Sequence, residues 1–244
     1  MMEFLTMKKY SVIFLSVLAG VLFSARCAEK TLDLLAAWDF TKGSAVSTDG
    51  KYALHLRGNT SFRKVGNKTM LQIGMSSKAE GAQFSAVNKE LYSAGPFRYE
   101  FTLRMREPDS TRVQLILFDS KYSLYKPGNH TGLALVLNRF QGKVEQYRMT
   151  VYAGLASGRS ATFSCPAGIT LKEDQTYTLA YEYDGKETFS YYLNGKKVGV
   201  RTLKGAGPIQ APDKYHGVIG DRYGSSFSHF QGDILSVKIF GIRK

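Results

Sequence analysis

The chain has 244 residues, with 33 Lys and Arg against 20 Asp and Glu, a formal net charge of +13. Hydrophobic residues make up 43% and charged residues 22%, with only 6 Pro; that composition supplies a packed core and excludes a disordered or collagen-like polypeptide. The 15 Tyr and 15 Phe favour strands, because aromatic side chains suit a pleated, half-buried surface. The basic excess is spread along the chain rather than blocked. It implies attraction to acidic polymers or surfaces, while no discrete nucleic-acid motif accompanies it.

From Met7 the order is Met-Lys-Lys, an apolar run over 10–23, then Ser24-Ala25-Arg26-Cys27-Ala28. This is the layout of a secretory signal peptide. Residues 1–27 are therefore read as a cleaved leader, and 28–244 as a single domain that is secreted or held at the cell surface or in the periplasm. The run spans about 14 residues, short of the roughly 20 a helix needs to cross hydrocarbon, so no transmembrane anchor is expected. Lipid attachment at Cys27 wants small residues before the Cys, and Arg26 breaks that pattern. If Cys27 leaves with the leader, Cys165 stands alone and the core holds without a disulfide. Sequons at Asn59, Asn67 and Asn129 matter only in a glycosylating pathway.

After residue 30 the hydrophobic pattern has period two. Short runs come first, at 37–40, 53–56 and 69–73. The run 97–106, Phe97-Arg98-Tyr99-Glu100-Phe101-Thr102-Leu103-Arg104-Met105-Arg106, alternates apolar and polar without a fault, as a strand with one wet face must. Further runs follow at 112–118, 132–138, 143–153, 176–184, 188–193 and 233–242, and none carries a helical stripe. Asp49-Gly50, Pro127-Gly128-Asn129, Gly142, Asp184-Gly185, Asn194-Gly195 and the segment 205–212 punctuate them. Asn194-Gly195 predicts a two-residue hairpin between 189–193 and 196–200, since both residues tolerate positive φ. Many antiparallel strands with no linker and no repeat predict one all-β sandwich or barrel.

Three stretches carry a resemblance. Ala36-Ala37-Trp38-Asp39-Phe40 with Gly43-Ser44 and Asp49-Gly50 opens the chain. Tyr177-Thr178-Leu179-Ala180-Tyr181-Glu182-Tyr183-Asp184-Gly185 with Tyr191-Tyr192-Leu193-Asn194-Gly195-Lys196 comes late. Gly217-Val218-Ile219-Gly220 with Phe230-Gln231-Gly232-Asp233-Ile234 closes it. In this order they resemble bacterial laminin-G-like domains of the concanavalin A-like lectin and glucanase superfamily, over 36–240. The resemblance implies an all-β jelly-roll sandwich of two antiparallel sheets, in which a concave face or the rim loops bind glycans. On physical grounds Trp38 supplies core volume and Gly232 marks a bulge or a close backbone approach. Some members hold a structural calcium. Where they commonly carry acids, this chain has Thr41 and Leu235, so a calcium site here would rest on Asp39, Asp49 and Asp233. No other cofactor is expected.

Enzymes of the superfamily that this chain resembles, the laminarinases, use a Glu-x-Asp-x-x-Glu strand, and retaining hydrolysis wants carboxyl groups about 5 Å apart. Glu182-Tyr183-Asp184-Gly185-Lys186-Glu187 matches that run in its letters. Asp184-Gly185 nevertheless reads as a turn, which puts Glu187 on the returning strand and off the shared face. No catalytic residue is assigned. His55, His130, His216 and His229 have no zinc-ligand spacing, and a lone Cys165 beside Pro166 reads as an inert thiol.

Sugars are held by aromatic faces and planar polar groups. The candidate binding residues are Tyr122, Tyr125, Asn129 and His130 in the loop 119–130, and Asp221, Arg222 and Tyr223 in the loop 215–229, which also holds His216, Phe227 and His229. The competing assignment packs these tyrosines on their own loops, with the polar groups closing turns. The functional expectation is a secreted, non-catalytic binding module for carbohydrate or an acidic extracellular polymer. Alternatives are a structural module that adheres to an extracellular protein, or a laminarinase-like glycoside hydrolase.

Overall fold

The computed structural model describes residues 31–74, 79–84, 91–92, 95–106, 113–121, 131–213, 215–224 and 228–243. The leader expected at 1–27 lies outside them. The first strands are β1 (Asp33–Asp39), β2 (Leu54–Leu56), β3 (Ser61–Val65), β4 (Lys68–Gln72), β5 (Ala82–Phe84), β6 (Phe97–Met105), β7 (Gln114–Asp119) and β8 (Leu133–Arg139). The rest are β9 (Gln146–Gly154), β10 (Ser160–Ser164), β11 (Ile169–Thr170), β12 (Thr176–Tyr183), β13 (Thr188–Leu193), β14 (Lys196–Thr202), β15 (Val218–Ile219) and β16 (Gly232–Gly241). A 3-10 turn covers Phe40–Lys42. Among the described residues no helix is long and apolar enough to cross a membrane.

These strands form two antiparallel sheets of eight. The first runs β14-β13-β12-β6-β16-β4-β3, with β1 also paired to β16; the second runs β10-β9-β8-β7-β15-β5-β2, with β11 beside β9. The alternation read at 97–106 appears directly: Phe97, Tyr99, Phe101, Leu103 and Met105 are buried, while the residues between them are half-buried on the other face. β6 lies between β12 and β16, paired with Tyr183 at one end and Asp233 at the other. The fold is the expected all-β sandwich.

Its core is a layer of rings. Trp38 is fully buried, with its ring 5.4 Å from Phe84 and 6.3 Å from Tyr52. Phe189 lies 4.6 Å from Tyr183 and 4.8 Å from Phe163, joining the two sheets through aromatic contact. Buried tyrosines carry a hydroxyl that must find a partner. Tyr181 Oη of β12 donates to the Val136 carbonyl of β8 at 3.0 Å, and Tyr191 Oη of β13 donates to the Phe163 carbonyl of β10 at 2.8 Å. Each of these bonds crosses from one sheet to the other. Burial drives the Tyr181 and Tyr191 phenols well above the ordinary tyrosine range, so both remain donors.

The hairpin predicted at Asn194-Gly195 is present, with φ of 51° and 78° and Leu193 paired to Lys196. Gly232 is a close approach: a β-carbon there would stand 2.4 Å from the Arg104 carbonyl oxygen. The irregularity of β16 lies a little further on, between Ile234 and Ser236. Five strands were not expected from the pattern, namely β3, β5, β10, β11 and β15. β3 is an edge strand with its residues exposed or half-buried, and β5 and β11 are too short for any period to register.

Tyr181→Phe should lower unfolding free energy by about 1–2 kcal/mol, the cost of leaving the buried Val136 carbonyl without its donor. Urea denaturation measures this, and an unchanged midpoint would show that the inter-sheet bond adds nothing.

Candidate carbohydrate-binding rim

At one end of the second sheet, three connections meet: β2 to β3, β4 to β5, and the segment after β15. They are joined by a buried polar network. Glu80 and Asp221 are both fully buried. Asp221 Oδ2 accepts the Glu80 backbone N–H at 2.9 Å, and Glu80 Oε2 accepts the Asn59 N–H at 2.8 Å and the Thr60 hydroxyl at 3.2 Å. Thr60 Oγ1 in turn accepts the N–H groups of Gly74 and Gly81. The carboxylate of Glu80 occupies a space that only glycine leaves open, since a β-carbon on Gly74 would stand 2.0 Å from Glu80 Oε2.

Arg57 completes this scaffold. Its Nη1 donates to the Arg222 carbonyl and its Nη2 to the Gly224 carbonyl, both at 3.1 Å. Burial pulls the guanidinium pKa down, and the charges of Asp221, Tyr223 and Glu80 offset part of that. A guanidinium stays protonated regardless, so it acts as a permanent two-pronged clamp on the loop backbone.

The clamped loop presents Arg222 and Tyr223. Tyr223 stands 5.3 Å from the Tyr215 ring and 6.1 Å from the His216 ring, centroid to centroid. All four side chains are half-buried. His216 Nδ1 faces the Phe84 carbonyl at 3.2 Å, which ties the imidazole to the end of β5. The result is a cluster of three aromatic rings, next in sequence to Arg222, on a loop whose backbone Arg57 holds.

The candidates read from sequence are thus sorted by burial. Arg222 and Tyr223 lie at the rim together, whereas Asp221 is interior, holding Glu80 rather than facing solvent. Tyr122, Tyr125, Asn129 and His130 lie outside the described residues, as does Phe227. His229 is buried and bridged to Ile116 of β7. Tyr215, Arg57 and Glu80 were not singled out from sequence; nothing local marks a Glu that meets an Asp at a separation of 141 residues.

The three candidate calcium ligands have other partners. Asp39 caps the 3-10 turn, accepting from the Thr41 N–H at 3.1 Å and the Thr41 hydroxyl at 2.5 Å. Asp49 closes a turn by accepting from Ser47 Oγ at 2.6 Å and the Lys51 N–H at 3.1 Å. Asp233 is fully buried against two guanidiniums, with Arg104 Nη1 at 3.3 Å and Arg106 Nε at 3.5 Å. Two fixed positive charges at that distance oppose a cation. Among the described residues no group of three His, Cys, Asp or Glu is placed to hold a metal ion.

Comparison with known proteins agrees with this architecture. A laminin-G family model, described as the concanavalin A-like lectin/glucanases superfamily, matches residues 78–243. The chain belongs to that superfamily. No curated protein matches it in sequence. Domain 4 of an extracellular arabinanase from Geobacillus stearothermophilus, solved in complex with arabinotriose, is similar in structure at 12% identity and a TM-score of 0.62, over 86% of this chain and 93% of that one. The receptor binding domain of botulinum neurotoxin D is similar at 11% identity and a TM-score of 0.59, over 86% of this chain and 50% of that one. A sialidase of Trypanosoma rangeli gives 14% and 0.54, over 86% of this chain and 31% of that one. This chain thus spans half of the toxin domain and under a third of the sialidase. Such identities establish the fold alone.

Because the superfamily includes glucanases, the run 182–187 needs a structural account. Glu182 is on β12, bound to Arg98 Nη1 at 3.0 Å and accepting from Tyr192 Oη at 3.1 Å. Asp184 is in the turn, where Oδ1 accepts the N–H groups of Lys186, Glu187 and Thr188 at 2.8–3.0 Å. Glu187 Oε2 accepts the Gly205 N–H at 3.0 Å. Each carboxylate has a separate structural task, and the turn divides the run as its Asp-Gly pair predicts.

Burial works against ionisation of Asp184, but the three backbone donors outweigh it and hold the carboxyl below the usual Asp range. A folded pKa below the unfolded one contributes stability above about pH 4, which is lost as pH falls through the folded value. Asp184 is exposed, so screening limits the effect, and Asp184→Asn should cost at most about 1 kcal/mol at pH 7 and less near pH 3. Denaturation at the two pH values tests this; an equal loss at both would show that charge has no part in the turn.

Proposed function

We propose that this chain is an exported, non-catalytic module that binds carbohydrate at the rim formed by Tyr215, His216, Arg222 and Tyr223. The observation that carries the reading is the half-exposed Tyr215–Tyr223 pair, held in place by Arg57 over the Glu80–Asp221 network. Rings set at an angle offer faces for the CH groups of a pyranose or furanose, and a guanidinium supplies donors for its hydroxyls. Pre-ordering matters, because a loop that is already rigid loses little entropy on binding.

The arabinanase domain solved with arabinotriose, which shares the fold across 93% of its own length, is consistent with a saccharide ligand. The carboxylates of the run 182–187 are each occupied, which supports binding without turnover. Export rests on the leader pattern at 7–28.

The test is a glycan array of neutral and acidic saccharides, followed by titration of the best ligand. Tyr223→Ala should weaken binding at least about tenfold while changing stability by less than about 1 kcal/mol. A blank array together with capture of an extracellular protein would overturn the proposal in favour of protein adhesion. So would a ligand whose affinity is the same for the parent, Tyr215→Ala and Tyr223→Ala.

A further inference from the structure

A second site lies at the opposite edge of the second sheet. β10 there lies against β14 of the first sheet, and a cavity of about 260 Å³ opens between them, lined by Arg148, Thr162, Ser164, Cys165, Pro166 and Arg201. β8 and β7 separate β9, which carries Arg148, from β15 and the aromatic rim beyond it.

The charges in this cavity are unbalanced. Among the described residues neither Arg148 nor Arg201 forms an ion pair, and the buried Nε of Arg148 has no hydrogen-bond partner. No carboxylate among the described residues lines the space. The outer face of the first sheet is the contrast. Arg98 there meets Glu100 and Glu182 at 3.0 Å, and Lys238 meets Glu100 at 3.3 Å. Arg104 meets Asp174 and Asp233, and Arg106 meets Asp233. The cations of that face are paired with carboxylates, whereas Arg148 and Arg201 line one cavity without an ion-pair partner among the described residues.

The cavity is also ordered. The Arg148 guanidinium rests on the Phe140 ring at 4.5 Å, which restricts its rotamers. Ser164 Oγ accepts the Thr150 hydroxyl at 3.2 Å, so its own proton is available to a ligand. Two planar guanidiniums and two hydroxyls lining one cavity are groups that suit a small oxyanion. Cys165 contributes a wall rather than a nucleophile, since burial raises its thiol pKa and outweighs a nearby backbone N–H and Arg148. At about 260 Å³ the space is smaller than pockets for drug-sized ligands, roughly 300–1,000 Å³. It accepts one substituted ring rather than a buried chain.

We propose that the cavity between Arg148 and Arg201 binds the sulfate ester or carboxylate of an acidic saccharide. This rests on the reading of the chain as a saccharide-binding module and adds the chemical class of its ligand, with a site apart from the aromatic rim.

The purified protein would be titrated with a sulfated oligosaccharide, an oligogalacturonate and a neutral arabino-oligosaccharide, at low and at physiological salt. Arg201→Gln, on an exposed edge strand, is expected to weaken the acidic ligand at least about tenfold, the size of a lost charge-assisted contact, and to leave neutral binding unchanged. Arg148→Lys keeps the charge but loses the planar fork, so it should weaken the same ligand. Lys196→Gln, at the β13–β14 turn, removes equal charge elsewhere and should have little effect. Preference for the sulfated or the uronate oligomer identifies the oxyanion. Equal losses for Arg201→Gln and Lys196→Gln would overturn the site in favour of diffuse attraction, as would loss of acidic binding on Tyr223→Ala alone. Neutral binding at the rim with no gain for either acidic oligomer would sink this inference and leave the module reading standing, whereas no binding of any saccharide would sink both.

Discussion

The structure depends on a constraint within its own core: large tyrosines are buried between the sheets, and two of them, Tyr181 and Tyr191, satisfy their hydroxyls on the facing sheet. Apolar packing is non-directional, and by itself it holds two sheets about 10 Å apart without fixing how they are offset. The hydroxyls of Tyr181 and Tyr191 remove that freedom, because each reaches one carbonyl on the facing sheet. Tyr183 adds a third tie, to the Gly207 carbonyl in the segment after β14. Rings provide the burial, and hydroxyls set the alignment.

That alignment decides where the edges meet. With β12 tied to β8 and β13 to β10, β14 is carried to the margin of the second sheet, and the cavity lined by Arg148 and Arg201 forms there. The other end of the same sheet is closed differently. There, three connections between paired strands are further held together by Glu80, Asp221 and Arg57, polar groups drawn in from long range. Buried charge of this kind is costly when one member is missing, so the network holds the backbone at Arg222 and Gly224 through Arg57.

Charge is distributed by the same logic. The chain has a large cationic excess, yet the outer face of the first sheet is neutralised by its own ion pairs, from Arg98 with Glu100 and Glu182 to Arg106 with Asp233. The excess is therefore expressed elsewhere, at the hairpin lysines, at the rim arginine and in the edge cavity. Asp233 shows why a carboxylate on a strand is not by itself a cation ligand: burial raises its pKa, and the guanidiniums that accompany it pull the other way.

Much of the fold was legible in the order of residues. Period two marked the long strands apart from β14, Asn194-Gly195 marked the hairpin that includes it, and Asp184-Gly185 marked the turn that breaks the Glu182–Glu187 run. These signals are local, since side-chain alternation and positive φ are properties of a few neighbouring residues. β3, β5, β10, β11 and β15 escaped because short or edge strands are too brief or too exposed for a pattern to appear. The candidate site was legible only in part: an aromatic loop was visible at Tyr223, but whether Asp221 faced solvent or Glu80 was not. The sequence by itself determined the sandwich, its turns and its basic excess. Tertiary structure alone decided which arginines found carboxylates and which were left facing a cavity, because that depends on groups tens to hundreds of residues apart being brought within about 4 Å.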